Sequence, residues 1–570
     1  MRYHALACDY DGTLAWEGSV SAHVIDALHR LKDSGRKLLL VTGRELGDLK
    51  AVFHNLELFD RVVAENGALL YRPATGEQKV LGEAPPEALV ERLRALGVQP
   101  LSVGASIIAT VHPWETTVVR AIRDLGFEHQ VVFNKGSVMV LPPTVNKGTG
   151  LSAALDELML SPHNTVAIGD AENDHAFLSL CECSIAVADA LPVVKQRADL
   201  VTRAGSGEGV AELAERLLSD DLASIAHLLE RHDVPLGTAA DGRAVKVRAY
   251  GESVLIAGPS GSGKSTVTMG FLEGVAEGGY QFCVIDPEGD YGSVDRAVAL
   301  GSNDGPPTPD EVLNLLQSPA HCAVVNLTGL ALQDRPGYFA RLFPRLQELR
   351  AHTGRPHWVV VDEAHHLLPM ERESASQAFP PEFTGLVLVT VEPSHVARNA
   401  LATVDWVVAV GDDPGKSLNG FANAVGMADP ALPTSRLPEG DVWVWSARGG
   451  APPVRIRPVE ARAEHLRHRR KYAEGDVGDD RSFYFRGAAG KLNLRAQNLL
   501  VFLQIAEGID DETWAFHLAR GDYARWFRDV IKDPDLAAES DQVARQTALS
   551  PNESRERIAE AIRARYTNPT

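Results

Sequence analysis

The sequence predicts an α/β protein of several domains, and three observations carry that expectation. Apolar strands alternate with amphipathic helices over residues 1 to about 215. The same alternation restarts near residue 236, behind a glycine-rich loop, and runs to about 458. From about residue 461 the chain becomes charged and helical to its end. A chain of 570 residues is also too long for one hydrophobic core.

The first region reads as strands at residues 4–8, KLLLVTG (37–43), RVVAENG (61–67) and TVAIGD (165–170), with helical stretches between them such as Ser21 to Gly35. Residues 73–140 interrupt this rhythm with a small α/β pattern of their own, which suits a lid inserted into a core made of 1–72 and 141–215. Residues 216–235 read as a helix and linker. The second α/β domain, 236–458, has expected strands SVLIAG, QFCVIDP, CAVVNL, HWVVVDE, GLVLVTV and DWVVAVG. Residues 459–570 form a small, mainly helical accessory domain.

Bulk properties narrow the class. Hydrophobic content of 45% and charged content of 23% are ordinary for a globular protein. No apolar run reaches the 18 residues of a membrane span, and the first residues lack a signal-peptide pattern, so a cytoplasmic location is expected. Five cysteines do not make a disulfide framework, and Cys181 and Cys183 have no second pair to complete a zinc site. A net charge of -20 disfavours broad nucleic-acid binding without excluding a local basic channel. One basic cluster exists, from Arg462 through His465 and Arg467 to Lys471, and reads first as a solvated helix face.

The strand before Asp9-Tyr10-Asp11-Gly12-Thr13 delivers two carboxylates to its carboxyl end, where active residues of open α/β sheets collect. One carboxylate can attack phosphorus, and its neighbour can protonate the leaving oxygen and then activate water. Thr42 ends the second strand as a hydroxyl donor, and Lys147 precedes a helix as a cation for the transferring group. Asp170 ends a later strand, with Asp174 four residues on; with Asp9 they suit a hard cation such as Mg2+. These pieces, in this order, resemble the haloacid dehalogenase (HAD) superfamily, and most closely its phosphatases with a large α/β cap. The resemblance covers about residues 1–215. It implies a Rossmann-like core with Asp9 as nucleophile, Asp11 as general acid/base, and Thr42 and Lys147 as phosphate ligands. It also implies Asp9, Asp11, Asp170 and Asp174 around the metal, Asn173 as an orienting residue, and Glu65-Asn66-Gly67 at the cap junction.

The second domain opens with strand SVLIAG, loop Gly258-Pro-Ser-Gly261-Ser-Gly263-Lys264-Ser265-Thr266, and a helix. That order is a phosphate-binding loop: backbone N–H groups cradle phosphates at a helix N-terminus, Lys264 reaches the β- and γ-phosphates of ATP, and Ser265 holds Mg2+. HWVVVDE adds Asp362 as a water-mediated Mg2+ contact and Glu363 to polarise an attacking water, which favours hydrolysis over phosphoryl transfer to a metabolite. Asp362 to His365 also spells DEAH, but no second RecA-like half accompanies it. With IDPEGDY (285–291) and LVTVEPSHVARNAL (388–401), residues 236–458 resemble the HerA/FtsK/VirB4-like ATPases. This resemblance implies a RecA-like fold and an assembling ATPase, often a ring. Val391 and Glu392 stand where such families often carry a glutamine after the threonine. Arg398 is a candidate arginine finger or a surface arginine, and His365 and His366 read as the start of a helix rather than metal ligands.

In the last region, Trp514, Phe516, Leu518, Tyr523, Trp526 and Phe527 suit the core of a small helical domain. Arg520, Arg525 and Arg528 lie among them and can meet phosphate or acidic partners. The sequence leaves three functions open. One is a Mg2+-dependent phosphatase of a small phosphorylated metabolite, assembled or gated by an ATPase. The second is a nucleic-acid translocase carrying an end phosphatase. The third is a nucleotide-sensing switch.

Overall fold

The computed structural model describes residues 1–134, 136–292, 294, 296–370, 383–431, 437–438, 440–462, 481–488, 490, 492–531, 533–546 and 549–566. The basic run 463–471 lies outside the described residues; only Arg462 of that cluster is among them. The chain divides into two compact units, Met1–Val459 and Glu460–Thr570.

The first unit begins with strands β1 (Ala5–Asp9), β2 (Lys37–Val41), β3 (Arg61–Ala64), β4 (Leu69–Arg72) and β5 (Glu77–Val80). A separate four-stranded antiparallel sheet follows, built from β6 (Ser102–Val103), β7 (Ile108–Val111), β8 (Gln130–Asn134) and β9 (Ser137–Leu141), in the order β6-β7-β9-β8. Two helices, Glu87–Ala95 and Glu115–Leu125, bury Leu89, Leu93 and Val118 against Ile108, Val138 and Val140 of that sheet. The main sheet then resumes with β10 (Thr165–Gly169), β11 (Cys183–Ala186) and β12 (Leu200–Val201), in the order β12-β11-β10-β1-β2-β3-β4-β5. Six of these strands are parallel, and β4 and β5 form an antiparallel edge hairpin. Pairing of β5 with β4 carries the main sheet to Val80, past residue 73, where the lid was expected to start. The strands read as near-continuous apolar runs because helices cover both faces of the parallel part.

Helix Ser206–Asp220 occupies the start of the expected linker. A second sheet then forms from β13 (Val234–Ala239), β14 (Ala244–Val247), β15 (Val254–Ala257), β16 (Phe282–Asp286), β17 (Ala297–Leu300) and β18 (Cys322–Asn326). It continues through β19 (Trp358–Val361), β20 (Leu386–Thr390), β21 (Trp406–Ala409), β22 (Val442–Ser446) and β23 (Val454–Pro458). Its order is β14-β13-β23-β22-β21-β15-β20-β19-β16-β18-β17. The run from β21 to β17 is parallel, and the other four strands join antiparallel. All five cysteines are free and buried.

The second unit pairs β24 (Phe483–Phe485) with β25 (Leu494–Ala496) and adds helices Leu499–Gly508, Asp511–Ala519, Asp522–Asp529, Pro534–Arg545 and Pro551–Tyr566. Phe483, Phe485, Phe502, Trp514, Tyr523, Trp526 and Phe527 form its core, whereas Phe516 and Leu518 are half-buried. No helix among the described residues is long and apolar enough to cross a membrane.

Candidate functional site

β1 lies between β2 and β10, in parallel register with Asp9 opposite Val41 and Cys8 opposite Ile168. Asp9, Thr42 and Asp170 therefore emerge together at the carboxyl ends of three neighbouring strands. Lys147 opens helix Lys147–Glu157, whose start is fixed by Asn146, capped through Gly148 and Thr149. Gly67, at φ +106°, packs so tightly on this turn that a Cβ would sit 1.9 Å from the Asn146 carbonyl oxygen. Only glycine fits there, and the close approach presses the cap junction onto the lysine helix.

The Lys147 ammonium donates to Asp9 Oδ1 at 2.5 Å and to Asp174 Oδ1 at 2.6 Å. All three side chains are almost fully buried. Burial alone would lower the Lys147 pKa, but Asp174 and Asp9 outweigh it and hold the pKa above its ordinary value. Burial pushes the Asp9 carboxyl well up, and the charge of Asp174 adds to that. Asp174 is itself held by the backbone: its Oδ2 accepts from the N–H groups of Asp170 at 2.8 Å and Ala171 at 2.9 Å. Thr13, which the sequence reading passed over, donates to Asp170 Oδ1 at 2.8 Å.

Carboxylate oxygens of Asp9, Asp170 and Asp174 all lie within 4.8 Å of one another. A buried, all-oxygen donor set with one lysine as partial counter-charge fits a hard divalent cation. Asp11, expected with this group, is not in it. Its carboxylate turns to Arg44, which donates to both oxygens at 2.7 Å and also pairs with Asp48 at 2.5 Å. The chain leaves strand geometry right after Asp9, with Gly12 at φ 83°, so the strand alternation that put Asp9 and Asp11 on one side does not hold.

Over the site, Asn173 donates to Asn66 Oδ1 at 3.1 Å, and Asn66 approaches the Met139 sulfur of the four-stranded cap at 3.3 Å. Glu65 accepts from the backbone N–H groups of Ala105 and Ser106, both at 3.1 Å. One core carboxylate thus clamps a cap loop through two charge-assisted bonds. A methyl at Gly104 would meet Glu65 Oε2 at 2.7 Å, so that loop also depends on a missing side chain.

The second sheet carries a separate constellation. β15 leads through Gly258, Gly261 and Gly263 into helix Lys264–Glu277. Gly261 and Gly263 have φ of 75° and 96°, and a Cβ at Gly258 would meet the Val410 carbonyl oxygen at 2.2 Å. Lys264 is buried and donates to the Pro259 carbonyl at 3.0 Å, and Ser265 lies 3.5 Å from Asp290. Asp286 organises the loop after β16, accepting from Gly289, Asp290 and Tyr291 N–H groups at 2.8–3.0 Å. Burial raises the Asp362 carboxyl well above its usual value, with the charges of Glu363, Asp286 and Asp290 adding to it. Glu363 sits at φ 45°, and burial, then Glu288, raises its pKa. A cavity of about 780 Å³ lies along the loop, lined by Gly261, Gly263, Thr266, Val410, Asp412 and Asp441 among others.

His365 and His366 lie in the short helix Ala364–Leu367, and their ring nitrogens cluster with Glu363 within 4.8 Å. His365 also lies 3.2 Å from the hydroxyl of Thr390, and burial lowers its pKa to about 4. Arg398 is exposed and donates to the Ala424 carbonyl at 2.7 Å, while Glu392 pairs with Lys416 at 3.0 Å.

A family profile for haloacid dehalogenase-like hydrolases matches residues 6–96 and 116–213. A phosphoglycolate phosphatase of Methanothermobacter thermautotrophicus is 33% identical over 222 residues, covering 38% of this chain and 98% of that protein. A phosphoglycolate phosphatase of Haloarcula marismortui is 32% identical over 219 residues, covering 36% of this chain and 94% of that protein. A haloacid dehalogenase-like hydrolase from Bacteroides thetaiotaomicron, known as a crystal structure, covers 38% of this chain and 99% of its own at 20% identity, with a TM-score of 0.34. HAD phosphatases use Mg2+, in keeping with the carboxylate cluster of Asp9, Asp170 and Asp174. From residue 6 to residue 213 the chain belongs to the haloacid dehalogenase-like hydrolases, and this part of it is a phosphatase of that superfamily.

Proposed function

We propose that the N-terminal domain hydrolyses a small phosphomonoester through an aspartyl-phosphate on Asp9, with 2-phosphoglycolate the first substrate to try because the relatives above bear that name. The observation that carries this reading is the Lys147 ammonium set between Asp9 and Asp174. It fixes Asp9 in direction and sets a cation against its oxygen, as a carboxylate nucleophile needs. Asp9 attacks phosphorus, the bond to the substrate oxygen breaks, and Asp11 gives that oxygen a proton. Asp11 then takes a proton from the water that attacks the aspartyl-phosphate, releasing phosphate and restoring Asp9. Thr42 donates to a phosphate oxygen, and Lys147 offsets the charge that builds on the transferring group. Mg2+ would be held by Asp9 and Asp170, with Asp174 as third carboxylate, and supplies charge neutralisation at the phosphate. Asp11 reaches the leaving oxygen by exchanging its Arg44 partner for substrate. The cap, clamped through Glu65, suits a small substrate closed off from water.

We further infer that the loop Gly258–Thr266 binds ATP with Mg2+, with Gly258, Gly261 and Gly263 shaping the loop and Lys264, Ser265 and Thr266 at the phosphates. Asp362 and Glu363 act at the metal and the attacking water. What supports this reading is the strand–loop–helix geometry, the adjoining cavity and the convergence of Asp286, Asp290, Asp362 and Glu363 near Ser265 and Lys264. The ATP-driven step assembles or gates the phosphatase, in a ring or a smaller homo-oligomer.

Phosphate release with Mg2+, in wild type, Asp9→Asn and Lys264→Ala, tests both readings. Turnover of 2-phosphoglycolate lost only in Asp9→Asn, and of ATP lost only in Lys264→Ala, is the expected result. Phosphomonoester turnover that survives Asp9→Asn would overturn the first reading, and ATP turnover that survives Lys264→Ala the second.

A further inference from the structure

The C-terminal unit holds a cavity that none of the chemistry above uses. It measures about 650 Å³ and opens between β24, residues Gly487, Ala488 and Gly490, and helices Asp511–Ala519 and Asp522–Asp529. That volume lies within the range of small-ligand sites. Its apolar wall includes the buried rings of Phe483 and Trp526 and the half-buried ring of Phe516.

Three arginines line the same cavity: Arg486, Arg520 and Arg525, all exposed. The Arg486 guanidinium lies over the Tyr484 ring at 5.2 Å, and that of Arg520 over the Phe516 ring at 5.1 Å. Each is thus oriented by an aromatic face, which lowers the entropy lost on gripping an anion. Among the described residues Arg486 has no carboxylate partner. Arg520 and Arg525 share one, Asp522, at 3.5 and 3.4 Å. Asp522 is already engaged by His517 at 2.9 Å. The His517 Nε2 accepts from the backbone N–H of Arg486 at 3.1 Å, which ties that ring to the arginine's own backbone. Among the described residues Asp529 is the other carboxylate on the wall, so there three guanidiniums face two carboxylates.

An aromatic wall beside backed guanidiniums suits a planar base joined to a phosphate. We propose that this cavity binds a nucleotide unit, its phosphate on Arg486, Arg520 and Arg525 and its base against Phe516. The unit belongs to a single strand or to a free nucleotide. Stacking with arginine contacts is the general means of holding single strands without reading their sequence.

The test is fluorescence anisotropy of labelled single-stranded 12-mers, DNA and RNA, on the full chain in a Lys264→Ala background, which removes the proposed ATP loop as a competitor. Arg486→Ala with Arg520→Ala should weaken binding at least about tenfold and flatten the log Kd against log salt slope by about 1.4, the loss of two phosphate contacts on a single strand. Phe516→Ala should weaken binding about tenfold with the slope unchanged. A purely structural role for these side chains would not separate slope from affinity in this way. Competition by AMP at matched nucleotide concentration assigns the site to free nucleotide, and its failure assigns it to the polymer. If the double variant melts below wild type, Arg525→Gln, an exposed single change, takes its place. Oligonucleotide and AMP binding that are both absent, or equal in wild type and variants, overturns the proposal.

Discussion

Tyr280 donates its phenolic hydrogen to Glu182 Oε2 at 2.6 Å, and that bond joins the amino ends of two separate α/β sheets. Glu182 directly precedes β11, and Tyr280 lies two residues before β16. The same carboxylate takes Arg2 at 2.5 Å and His163 at 2.8 Å, and His163 stacks on Tyr280 with ring centroids 3.8 Å apart. Asn164, just before β10, meets His357, just before β19, at 3.0 Å. Arg355 reaches the Met159 carbonyl at 2.8 Å. Asp9 and Asp170, and Asp286 and Asp362, lie at the opposite, carboxyl ends of strands that start at this seam. Each site is therefore about 17 Å, one strand length, from the seam, and the two face apart.

The first prediction concerns this seam. Glu182→Gln removes the charge that satisfies Arg2 and His163 and leaves a buried guanidinium without its partner. It should cost about 3 kcal/mol of unfolding free energy. Tyr280→Phe should cost about 1.5 to 3 kcal/mol, the range for a hydrogen bond to a charged group. Chemical denaturation of the two variants checks both values.

The second prediction is the pH dependence of that cost. Burial pushes the Glu182 carboxyl up, but the His163 hydrogen bond and the charge of Arg2 outweigh it and hold it well below the usual range. A folded pKa below the unfolded value of about 4.3 gives stability that is full above that value and is lost as pH falls below it. The melting-temperature gap between wild type and Glu182→Gln should be constant from pH 7 to about 5 and close progressively below about 4.

A third prediction isolates the cap clamp. Glu65→Ala frees the Ala105 and Ser106 N–H groups, so the cap should close less tightly. KM for the phosphomonoester should rise about tenfold while kcat falls less, because the two lost bonds hold the cap and only part of their free energy reaches the substrate. Steady-state kinetics with a small substrate reads the split. Gly104→Ala, which crowds the same carboxylate, should move KM in the same direction.

A fourth prediction separates the two sites. Lys264→Ala should abolish ATP turnover and leave the ATP-free phosphatase rate within about twofold, because its side chain lies beyond the seam. Phosphate-release assays with each substrate alone measure this.

Local sequence carried the parts of the site that sit on one strand end or one helix start. Asp9, Thr42, Lys147 and Asp170 each follow a short apolar run or open a periodic one, so their place at the sheet's carboxyl edge was legible. Thr13 was not, because its partner Asp170 is 157 positions away and only the fold brings them together. Asp11 was misplaced because strand alternation was carried two residues past the strand's end, into a turn where Arg44 competes for the carboxylate. The seam was invisible for a related reason. Glu182, His163, Tyr280 and His357 stand singly in the sequence, and their meaning appears only when the amino ends of two sheets abut. Strand β5 falls in the expected lid because Glu77–Val80 is exposed and polar, and a polar edge strand has no apolar signature.

The most direct test of the central claim is Mg2+-dependent phosphate release from 2-phosphoglycolate by wild type and Asp9→Asn. The account predicts turnover in wild type, abolished by EDTA, with a loss of at least about 10³-fold in the variant. Equal turnover in the two proteins, or turnover unaffected by EDTA, would contradict it.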